Sequence, residues 1–352
     1  MNIVYTINGE GMGHASRSSV VIDHLLAKGH HIAIFSAGRR PLAYLRERFG
    51  NVAEVMGLHM VYRENKVFRI RTAFRVLANI KEFRKDFATI RRSLVGFRPH
   101  AVITDFDFHG KIVATMFHVP IISIDNVQFI TQAHFRVLPE DFVNYEINYL
   151  IAKMMVPHAD YCFVTTFARA KPREGMKPIF VPPLLRQKVL ATRPRQGQHI
   201  LVYQTSDSYT KLLPILAQSK EQFVVYNAAP TVKARNITAK EFNEDAFIQD
   251  IATSKAVITS GGFNVITEAL YFKKPILSIP IRNFFEQKLN ALLLQEEGLG
   301  LMVKRLSKVS LQEFINRIGS FGTARPVKFD NTILFNKLDE VLAKLQKRDA
   351  SR

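Results

Sequence analysis

Short apolar runs alternate along the chain with longer segments in which apolar residues recur every three or four positions. The short runs predict buried strands, and the longer segments predict amphipathic helices. Five strands are predicted in the first half, at 2–7, 31–35, 101–104, 120–124 and 161–165. Five more are predicted in the second half, at 199–203, 222–226, 256–259, 276–279 and 300–303. This alternation is typical of parallel sheets covered by helices on both faces, and it predicts an α/β fold.

A segment rich in proline and basic residues, "VPPLLRQKVLATRPRQGQ", separates the two series and shows little periodicity. We therefore predict two doubly wound, Rossmann-like domains, with the boundary in this segment. The predicted parts are an N-terminal domain at 1–185, a linker at 186–198, a second domain at 199–330, and a C-terminal helix with a basic tail at 331–352 that can pack back on the first domain. Ligands of such sheets bind beyond the carboxyl ends of the strands, so we expect the active site in a cleft that the two domains face.

The stretch "INGEGMGHASR" places three glycines and His14 where the first predicted strand ends and a helix begins. Glycine allows close backbone approach, and the free N–H groups of a helix N-terminus attract anions. The spacing Gly9-x-Gly11-x-Gly13 matches neither the dinucleotide fingerprint nor a P-loop. The loop therefore favours a negative or strongly polar group, and the alternative is a tight turn followed by a surface histidine.

A second glycine turn, Ser260-Gly261-Gly262, follows the predicted strand at 256–259. The helix after it carries Glu268, whose carboxylate can accept hydrogen bonds from vicinal hydroxyls such as those of a ribose. The alternative is an exposed helix carboxylate. Further along, amide and carboxylate groups suited to sugar hydroxyls follow another buried strand, at Glu286, Gln287 and Asn290.

Composition indicates a globular protein. The chain has 352 residues, of which 47% are hydrophobic, enough for two ordinary domains. No apolar run approaches the roughly 18–20 residues needed to cross a bilayer, and the sequence enters a strand at once without a signal peptide, so we expect a cytosolic protein. The single cysteine, Cys162, excludes an internal disulfide and argues against a cysteine metal cluster.

The net charge of +19 indicates an anionic partner: nucleic acid, anionic lipid or a phosphorylated substrate. Positive charge is concentrated at 65–98, where apolar residues also recur at helical spacing. One interpretation is a helix that packs on the core and exposes its basic side. The other is attachment to an anionic membrane surface. The candidate membrane residues are Phe68, Arg71, Phe74, Arg75 and Arg84.

The segment "TSGGFNVITEALYFKKPILSIPIRNFFEQKLNA" resembles the donor-site signature of GT-B glycosyltransferases. Together with "GEGMGH" near the N-terminus, it makes the chain similar to the MurG-like group, glycosyltransferase family 28. The resemblance implies a nucleotide-diphosphate sugar, usually a UDP-sugar, bound mainly by the C-terminal domain, with the acceptor on the N-terminal domain. It also implies an inverting reaction.

The resemblance assigns residues to the donor. Glu268 would bind the ribose, the Gly261-Gly262 turn and the following Phe263 would bind the diphosphate, and Gln287, beside Glu286, would bind the sugar. The base would meet Phe247 and Ile248 through backbone groups, and Arg186 would approach the nucleotide. The chain departs from the family at "VYQTSDSY", where Thr205 and Ser206 would replace glycine N–H contacts with hydroxyls.

Sugar transfer needs a group that removes the acceptor proton. Asp105 follows a predicted strand in "TDFDFHG", and His14 is expected beside it. Either residue can be the base, and a histidine suits this role at neutral pH. The alternative for Asp105 is a helix N-cap. The candidate acceptor-binding residues are Gly11, Gly13, Asp125, Asn126 and Gln128.

These observations predict an inverting, metal-independent glycosyltransferase that uses no cofactor. Helix N-termini would compensate the charge of the leaving diphosphate. The expected acceptor is a lipid or lipid-linked carrier at the inner face of the cell membrane, where the protein would bind peripherally. One alternative is a UDP-sugar 2-epimerase with the same fold. Another is a basic nucleic-acid-binding protein, although no nucleic-acid recognition motif accompanies the charge.

Overall fold

The computed structural model describes residues 1–57, 62–63, 65–67, 80–204, 209, 211–227, 234–321 and 326–350. Two parallel sheets, of seven and six strands, carry the fold. This arrangement confirms the prediction of two doubly wound, Rossmann-like domains, and each is described below by itself.

The strands of the first half are β1 (Asn2–Ile7), β2 (His31–Ser36), β3 (Val52–Glu54), β4 (Tyr62–Arg63), β5 (Lys66–Val67), β6 (Ala101–Asp105), β7 (Ile121–Asp125), β8 (Tyr161–Thr165) and β9 (Ile179–Val181). Its helices are α1 (Met12–Ala27), α2 (Arg39–Phe49), α3 (Ile80–Ser93), α4 (His109–Phe117), α5 (Phe129–Gln132) and α6 (Phe142–Met155). The seven-stranded sheet has the order β3-β2-β1-β6-β7-β8-β9.

Both faces of the first sheet are buried. Successive side chains of a strand point to opposite faces of the sheet, and each face packs in its own core. On one face, Ile3 and Tyr5 of β1 pack in a core that includes Leu25 of α1. On the other face, Val4 packs in a separate core with Ile90 of α3 and Val113 of α4.

The second half contains strands β10 (His199–Tyr203), β11 (Gln222–Tyr226), β12 (Ile237–Lys240), β13 (Ala256–Thr259), β14 (Ile276–Ser278) and β15 (Gly300–Met302). Its helices are α7 (Gln187–Ala191), α8 (Leu212–Leu216), α9 (Glu244–Thr253), α10 (Phe263–Tyr271), α11 (Phe285–Glu296) and α12 (Lys308–Arg317), followed by α13 (Asn331–Ala350). The sheet order is β12-β11-β10-β13-β14-β15. Ile200, Val202 and Ile258 face a core with Leu212 of α8 and Phe314 of α12.

The two compact units are discontinuous in sequence. The first contains Met1–Met60, Arg69–Leu184 and Phe329–Arg352, and the second contains Val61–Phe68 and Leu185–Lys328. The chain therefore changes unit just before the predicted linker at 186–198. Two segments belong to a different unit from the residues that precede them in sequence. One contains β4 and β5, and the other contains helix α13.

Helix α13 completes the first unit. Leu334, Leu338 and Leu342 are buried in the same core as Ile3 and Tyr5. At the helix surface, His24 of α1 stacks on Phe335, and its Nε2 atom lies 2.8 Å from Asp339 Oδ1.

Strand β5 pairs with the loop after β14 in the second unit. The backbone N–H of Val67 donates to the carbonyl oxygen of Arg282 (2.9 Å), and the N–H of Arg282 donates to the carbonyl oxygen of Asn65 (2.9 Å). The Asn283 side chain donates to the Val67 carbonyl oxygen. These backbone bonds assign the turn at 65–67 to the second unit.

All ten strands predicted from the sequence are present, within one residue at either end. Sequence patterning missed β3, β4, β5, β9 and β12, which have two to four residues each, too few to show a clear period. None of the helices in the described part of the chain is long and apolar enough to cross a membrane.

The basic segment at 65–98 is described only in part. Ile90 of α3 and Leu94, the residue that follows this helix, are buried in a core, whereas Phe87 of α3 is 47% exposed. The last turns of this helix therefore pack on the domain. The predicted membrane residues Phe68, Arg71, Phe74 and Arg75 lie outside the described residues, as does the side chain of Arg84.

Candidate active site

Each sheet has one place where the chain order reverses. In the first sheet, β1 lies between β2 and β6; in the second, β10 lies between β11 and β13. Loops that leave two neighbouring strands in opposite directions open a crevice at their carboxyl ends, where doubly wound sheets bind ligands. His14 lies in the first turn of α1, which follows the loop after β1, and Asp105 is the last residue of β6. The loop after β13 carries the Gly261-Gly262 turn.

His14 and Asp105 are in contact in the first crevice. Nδ1 of His14 lies 2.7 Å from Oδ1 of Asp105, and the two side chains are 12% and 0% exposed. A carboxylate only accepts hydrogen bonds, so the contact with Asp105 requires a proton on Nδ1, and in the neutral imidazole the lone pair is then on Nε2. His14 also stacks on Phe106, with 6.2 Å between ring centroids.

Arg17 is the third member of this cluster, and the sequence analysis did not include it. Its Nε atom donates to Oδ2 of Asp105 (3.0 Å) and its Nη2 atom to Oδ1 (2.5 Å), while Nη1 donates to Oδ1 of Asn126 (2.6 Å). Its side chain is 3% exposed. A signal for it exists: residues three apart share one face of a helix, so Arg17 lies on the His14 face of α1.

Asp105 is held ionised by its neighbours. Burial by itself raises the pKa of a carboxyl group, but the Arg17 guanidinium and His14 outweigh it and hold the pKa of Asp105 below its usual range. The Ser18 hydroxyl donates a further hydrogen bond of 2.9 Å to Oδ2. A fully buried, ion-paired carboxylate has little access to an acceptor proton, so this geometry favours His14 over Asp105 as the group that meets a substrate.

The candidate acceptor residues after β7 lie beside this cluster. Asp125 accepts from the Ser123 hydroxyl and the Gln128 N–H, both at 2.7 Å. Burial and then the charge of Asp105 raise its pKa to about 6. The Gln128 side chain is occupied within the protein, since it donates to the Ala152 carbonyl oxygen (3.3 Å) and accepts from the Thr131 hydroxyl. These hydrogen bonds stabilise the loop after β7. The acceptor-binding roles of Asp125, Asn126 and Gln128 stay predictions.

The glycine loop after β1 is shaped by close backbone contact. A Cβ atom on Gly9 would lie 2.3 Å from the carbonyl carbon of Ala37, so a side chain cannot fit there. Gly11 is the N-cap of α1, and Gly13 lies in the first helical turn. The loop thereby presents the N-terminus of α1 next to His14.

A buried ionic cluster lies on the other side of the β6 loop. Nδ1 of His109 is 2.8 Å from Oδ1 of Asp107, and Nε2 is 3.1 Å from Oδ2 of Asp86 in α3. Both ring nitrogens face carboxylates, so the imidazole is doubly protonated. Burial acts to lower its pKa, but Asp107 and then Asp86 outweigh burial and raise it to about 9.

This cluster predicts a pH-dependent stability. The folded-state pKa of His109 exceeds the usual value near 6.5, so its stabilisation is complete below that pH and is lost as the pH rises through about 9. The free energy of unfolding of the wild type relative to His109→Gln should therefore fall by about 3 kcal/mol between pH 6 and pH 10. Urea titrations at several pH values measure it. A difference that does not change with pH would contradict the assignment, and the exposed His31→Gln variant is the control.

In the second crevice, the turn after β13 requires glycine. Gly261 has φ +89°, and a Cβ atom there would lie 2.6 Å from the carbonyl oxygen of Gln287. The Asn290 side chain donates to the Gly261 carbonyl oxygen (3.1 Å). Gly262 is then the N-cap of α10, with nothing within 4 Å of its Cβ direction. The turn places the N-terminus of α10, the positive end of the helix dipole, at the carboxyl edge of the sheet, where it favours an anion.

Three buried polar side chains at the carboxyl edge of this sheet have side-chain atoms without a hydrogen-bond partner among the described residues. Within the described residues, Thr259 Oγ1, Ser278 Oγ and both amide atoms of Gln204 have no hydrogen-bond partner. Thr259 and Ser278 are directly opposite each other on β13 and β14, and Gln204 follows β10. A Cβ atom added to Gly261 would lie 3.1 Å from Ser278 Oγ, so this hydroxyl is close to the glycine turn. Such groups are costly unless a ligand or water satisfies them.

Glu268 forms a buried ionic cluster with Arg186. Arg186 donates to Oε1 of Glu268 from Nε (3.1 Å) and Nη2 (2.5 Å), and to Oε1 of Glu244 from Nη1 (2.5 Å). Burial raises the pKa of Glu268 although Arg186 opposes it. No hydrogen bond from the described residues reaches Oε2 of Glu268. Arg186 therefore orients the carboxylate and leaves its second oxygen for a ligand.

The other donor candidates lie nearby in the second unit. Gln287 is buried and accepts from the Ile281 N–H through Oε1 (3.2 Å), while Glu286 lies in the first turn of α11. Phe263 is the first residue of α10, and Phe247 and Ile248 are buried in α9, where Phe247 contacts the rings of Tyr203 and Tyr226. Their donor contacts stay predictions. Thr205 and Ser206 lie outside the described residues.

The sequence matches the model of glycosyl transferase family 1 over residues 1–319. Among curated proteins, an uncharacterized glycosyltransferase of Methanosarcina mazei is 26% identical over 336 residues, covering 86% of each chain. An uncharacterized glycosyltransferase of Methanosarcina acetivorans is 25% identical over 343 residues, covering 90% of this chain and 86% of the relative.

Solved structures show the same fold. The calicheamicin glycosyltransferase CalG4 aligns with a TM-score of 0.60 at 16% identity, covering 91% of this chain and 90% of its own. MurG of Acinetobacter baumannii aligns with a TM-score of 0.56 at 15% identity, covering 90% of each chain. Both are GT-B proteins, so the GT-B resemblance seen in the sequence is confirmed at the level of the fold.

Proposed function

The chain belongs to glycosyl transferase family 1, and on that premise we propose that it transfers a sugar from a nucleoside diphosphate donor, a UDP-sugar, to a hydroxyl of a membrane lipid or lipid-linked carrier. In this proposal the reaction inverts the anomeric centre and needs no metal ion or cofactor. The protein works peripherally at the inner face of the cell membrane.

The orientation of His14 is the observation that supports the reaction most directly. Its Nδ1 atom is fixed on a buried carboxylate (2.7 Å), so Nε2 is the nitrogen that can accept a proton. The acceptor hydroxyl gives its proton to Nε2 while its oxygen bonds to the anomeric carbon. Asp105 then stabilises the imidazolium ion, and Arg17 keeps Asp105 in position.

The bond from the anomeric carbon to the diphosphate oxygen breaks in the same step. The acceptor oxygen attacks the anomeric carbon from the side opposite the diphosphate, and this displacement inverts the anomeric centre. The leaving diphosphate carries negative charge away, and the N–H groups at the start of α10, after Gly262, can stabilise it.

Glu268 is the proposed ribose ligand. Its side chain is 5% exposed, and Arg186 occupies one of its oxygens. The other oxygen can accept from a ribose hydroxyl. A carboxylate oriented in this way favours hydroxyl groups at this position over a phosphate, because it would repel the negative charge of the phosphate.

A panel of nucleotides and nucleotide sugars tests the donor site by thermal unfolding. A ligand that binds only the folded state at 100 times its Kd adds about 2.7 kcal/mol to the free energy of unfolding and raises Tm. We expect UDP or one UDP-sugar to raise Tm in the wild type, and Glu268→Ala to lose this increase. The chosen sugar then enters a transfer assay with lipid acceptors.

Glu313→Ala is the matched control, because Glu313 is an exposed helix carboxylate of the same unit and pairs with Arg317 on the helix surface. It should keep the full increase in Tm. No increase with any nucleotide, or an equal loss in both variants, would contradict the donor site. Conversion of the nucleotide sugar to a free epimer without any acceptor would indicate the epimerase instead.

A further inference from the structure

Helix α6 (Phe142–Met155) has two apolar faces. One faces the domain, where Tyr145, Ala152 and Met155 are buried. On the opposite side, Val143, Leu150 and Met154 are 67%, 58% and 75% exposed. Residues seven and four apart lie along one side of a helix, so these three side chains form an apolar stripe, with Glu146 and Ile147 between Val143 and Leu150.

The stripe contradicts the usual pattern of a surface helix, which is polar on its solvent side. Phe142 and Ile151, which are also exposed, extend it on either side. Isolated exposed apolar residues are ordinary, but five on one helix form a patch of the kind that marks an interaction surface.

One edge of the stripe is basic and aromatic. Lys153 Nζ and the Arg173 guanidinium lie 5.2 Å and 5.0 Å from the ring centroid of Tyr149. Arg173 also donates to the Tyr145 hydroxyl (2.9 Å), which ties its segment to α6. The same segment carries three exposed cations, Arg169, Lys171 and Lys177, and one acidic residue, Glu174, while Glu146 of α6 interacts with Arg173. Tyrosine and basic side chains beside an apolar stripe are typical of helices that lie in a membrane interface.

We infer that the α6 stripe inserts into the surface of an anionic lipid bilayer, with the helix axis parallel to the membrane plane. The positive charge beside the stripe argues against a second copy of the chain as its binding partner. A two-fold contact places a patch against itself, and it would bring the same cations together in a protein of net charge +19. An anionic bilayer attracts these cations and accepts the apolar side chains.

The stripe is directly connected to the candidate acceptor loop. The Gln128 amide, which follows Asp125 and Asn126, donates to the Ala152 carbonyl oxygen on the buried side of α6. Membrane insertion of α6 would therefore hold that loop close to the lipid surface. This consequence rests on the proposed function, because it gives a lipid acceptor a short path to the loop, whereas vesicle binding itself does not depend on it.

Sedimentation with vesicles tests the inference on the full chain. The vesicles contain phosphatidylcholine alone or with phosphatidylglycerol, and Leu150→Glu and Met154→Glu are compared with Val309→Glu. Val309 is 78% exposed on α12, so all three variants add the same charge at an exposed apolar site. We expect the two α6 variants to bind anionic vesicles about 10- to 100-fold more weakly than Val309→Glu, which should resemble the wild type.

Equal weakening in all three variants, or unchanged binding in the α6 variants, would overturn the inference. So would equal binding of the wild type to neutral vesicles, or a wild-type dimer that Leu150→Glu converts to a monomer while vesicle binding is kept. Nucleotide-dependent Tm shifts of the same variants separate the two proposals. Lost vesicle binding with an intact shift supports the stripe, and the absence of any shift counts against the donor site alone.

Discussion

Replacing His14 by alanine is expected to lower the rate of sugar transfer by about 10²- to 10⁴-fold, the usual contribution of a general base. Nε2 of His14 is the proton acceptor that the described cluster provides, since Asp105 is buried and ion-paired with Arg17. The variant should still bind the nucleotide sugar, because the proposed donor contacts are in the second unit. Steady-state rates with the sugar chosen by the Tm panel measure the loss, and donor hydrolysis by water is an acceptor-free readout.

Exposed His31, at the first position of β2, provides the control for this experiment. His31→Ala should retain the wild-type rate. If His14→Ala keeps more than about a tenth of the wild-type rate, the base is another group. If it loses nucleotide binding as well, His14 belongs to the donor site rather than to the proton-transfer step.

Replacing Arg17 by methionine is expected to lower the free energy of unfolding by about 3–5 kcal/mol. Methionine keeps much of the side-chain length but removes both hydrogen bonds to Asp105 and the one to Asn126. Asp105 then remains buried with its charge poorly compensated. Denaturant titration at neutral pH measures the loss.

The sign of the pH dependence gives a second check. The pKa of Asp105 is lowered in the folded wild type, so its ion pair stabilises above the ordinary pKa and loses its effect as the pH falls through the folded-state value. The difference between Arg17→Met and wild type should therefore shrink in acid. Arg48→Met is the control, since Arg48 and Asp23 form a pair in which both side chains are more than 40% exposed, and it should cost at most about 1 kcal/mol. Equal losses for the two variants would contradict the role of Arg17.

Periodicity predicted ten of the thirteen strands of the two large sheets, because the residues of those ten are mostly buried and form unbroken apolar runs. It also placed His14 beside Asp105, since both follow strands that prove to be neighbours, and the structure brings them within 2.7 Å. Residue type and spacing were sufficient for these conclusions.

Other features depended on tertiary contacts that no local pattern contains. The spacing of Arg17 from His14 places both on one face of α1, but only the partners of Arg17 reveal that it is buried. The pairing of β5 with Arg282 joins positions far apart in sequence. The sequence also does not reveal the stripe of α6, because the apolar residues of this helix do not show by themselves which side packs on the domain.

The position of α13 in the first unit has a consequence for biosynthesis. Its leucines complete the core around β1, yet the ribosome makes them only after the whole of Leu185–Lys328. The apolar face of α1 and β1 therefore waits, incompletely covered, while the second unit is made and has time to fold. During this interval the nascent first unit would be a substrate for chaperones, and α13 supplied separately as a peptide would be expected to shorten it.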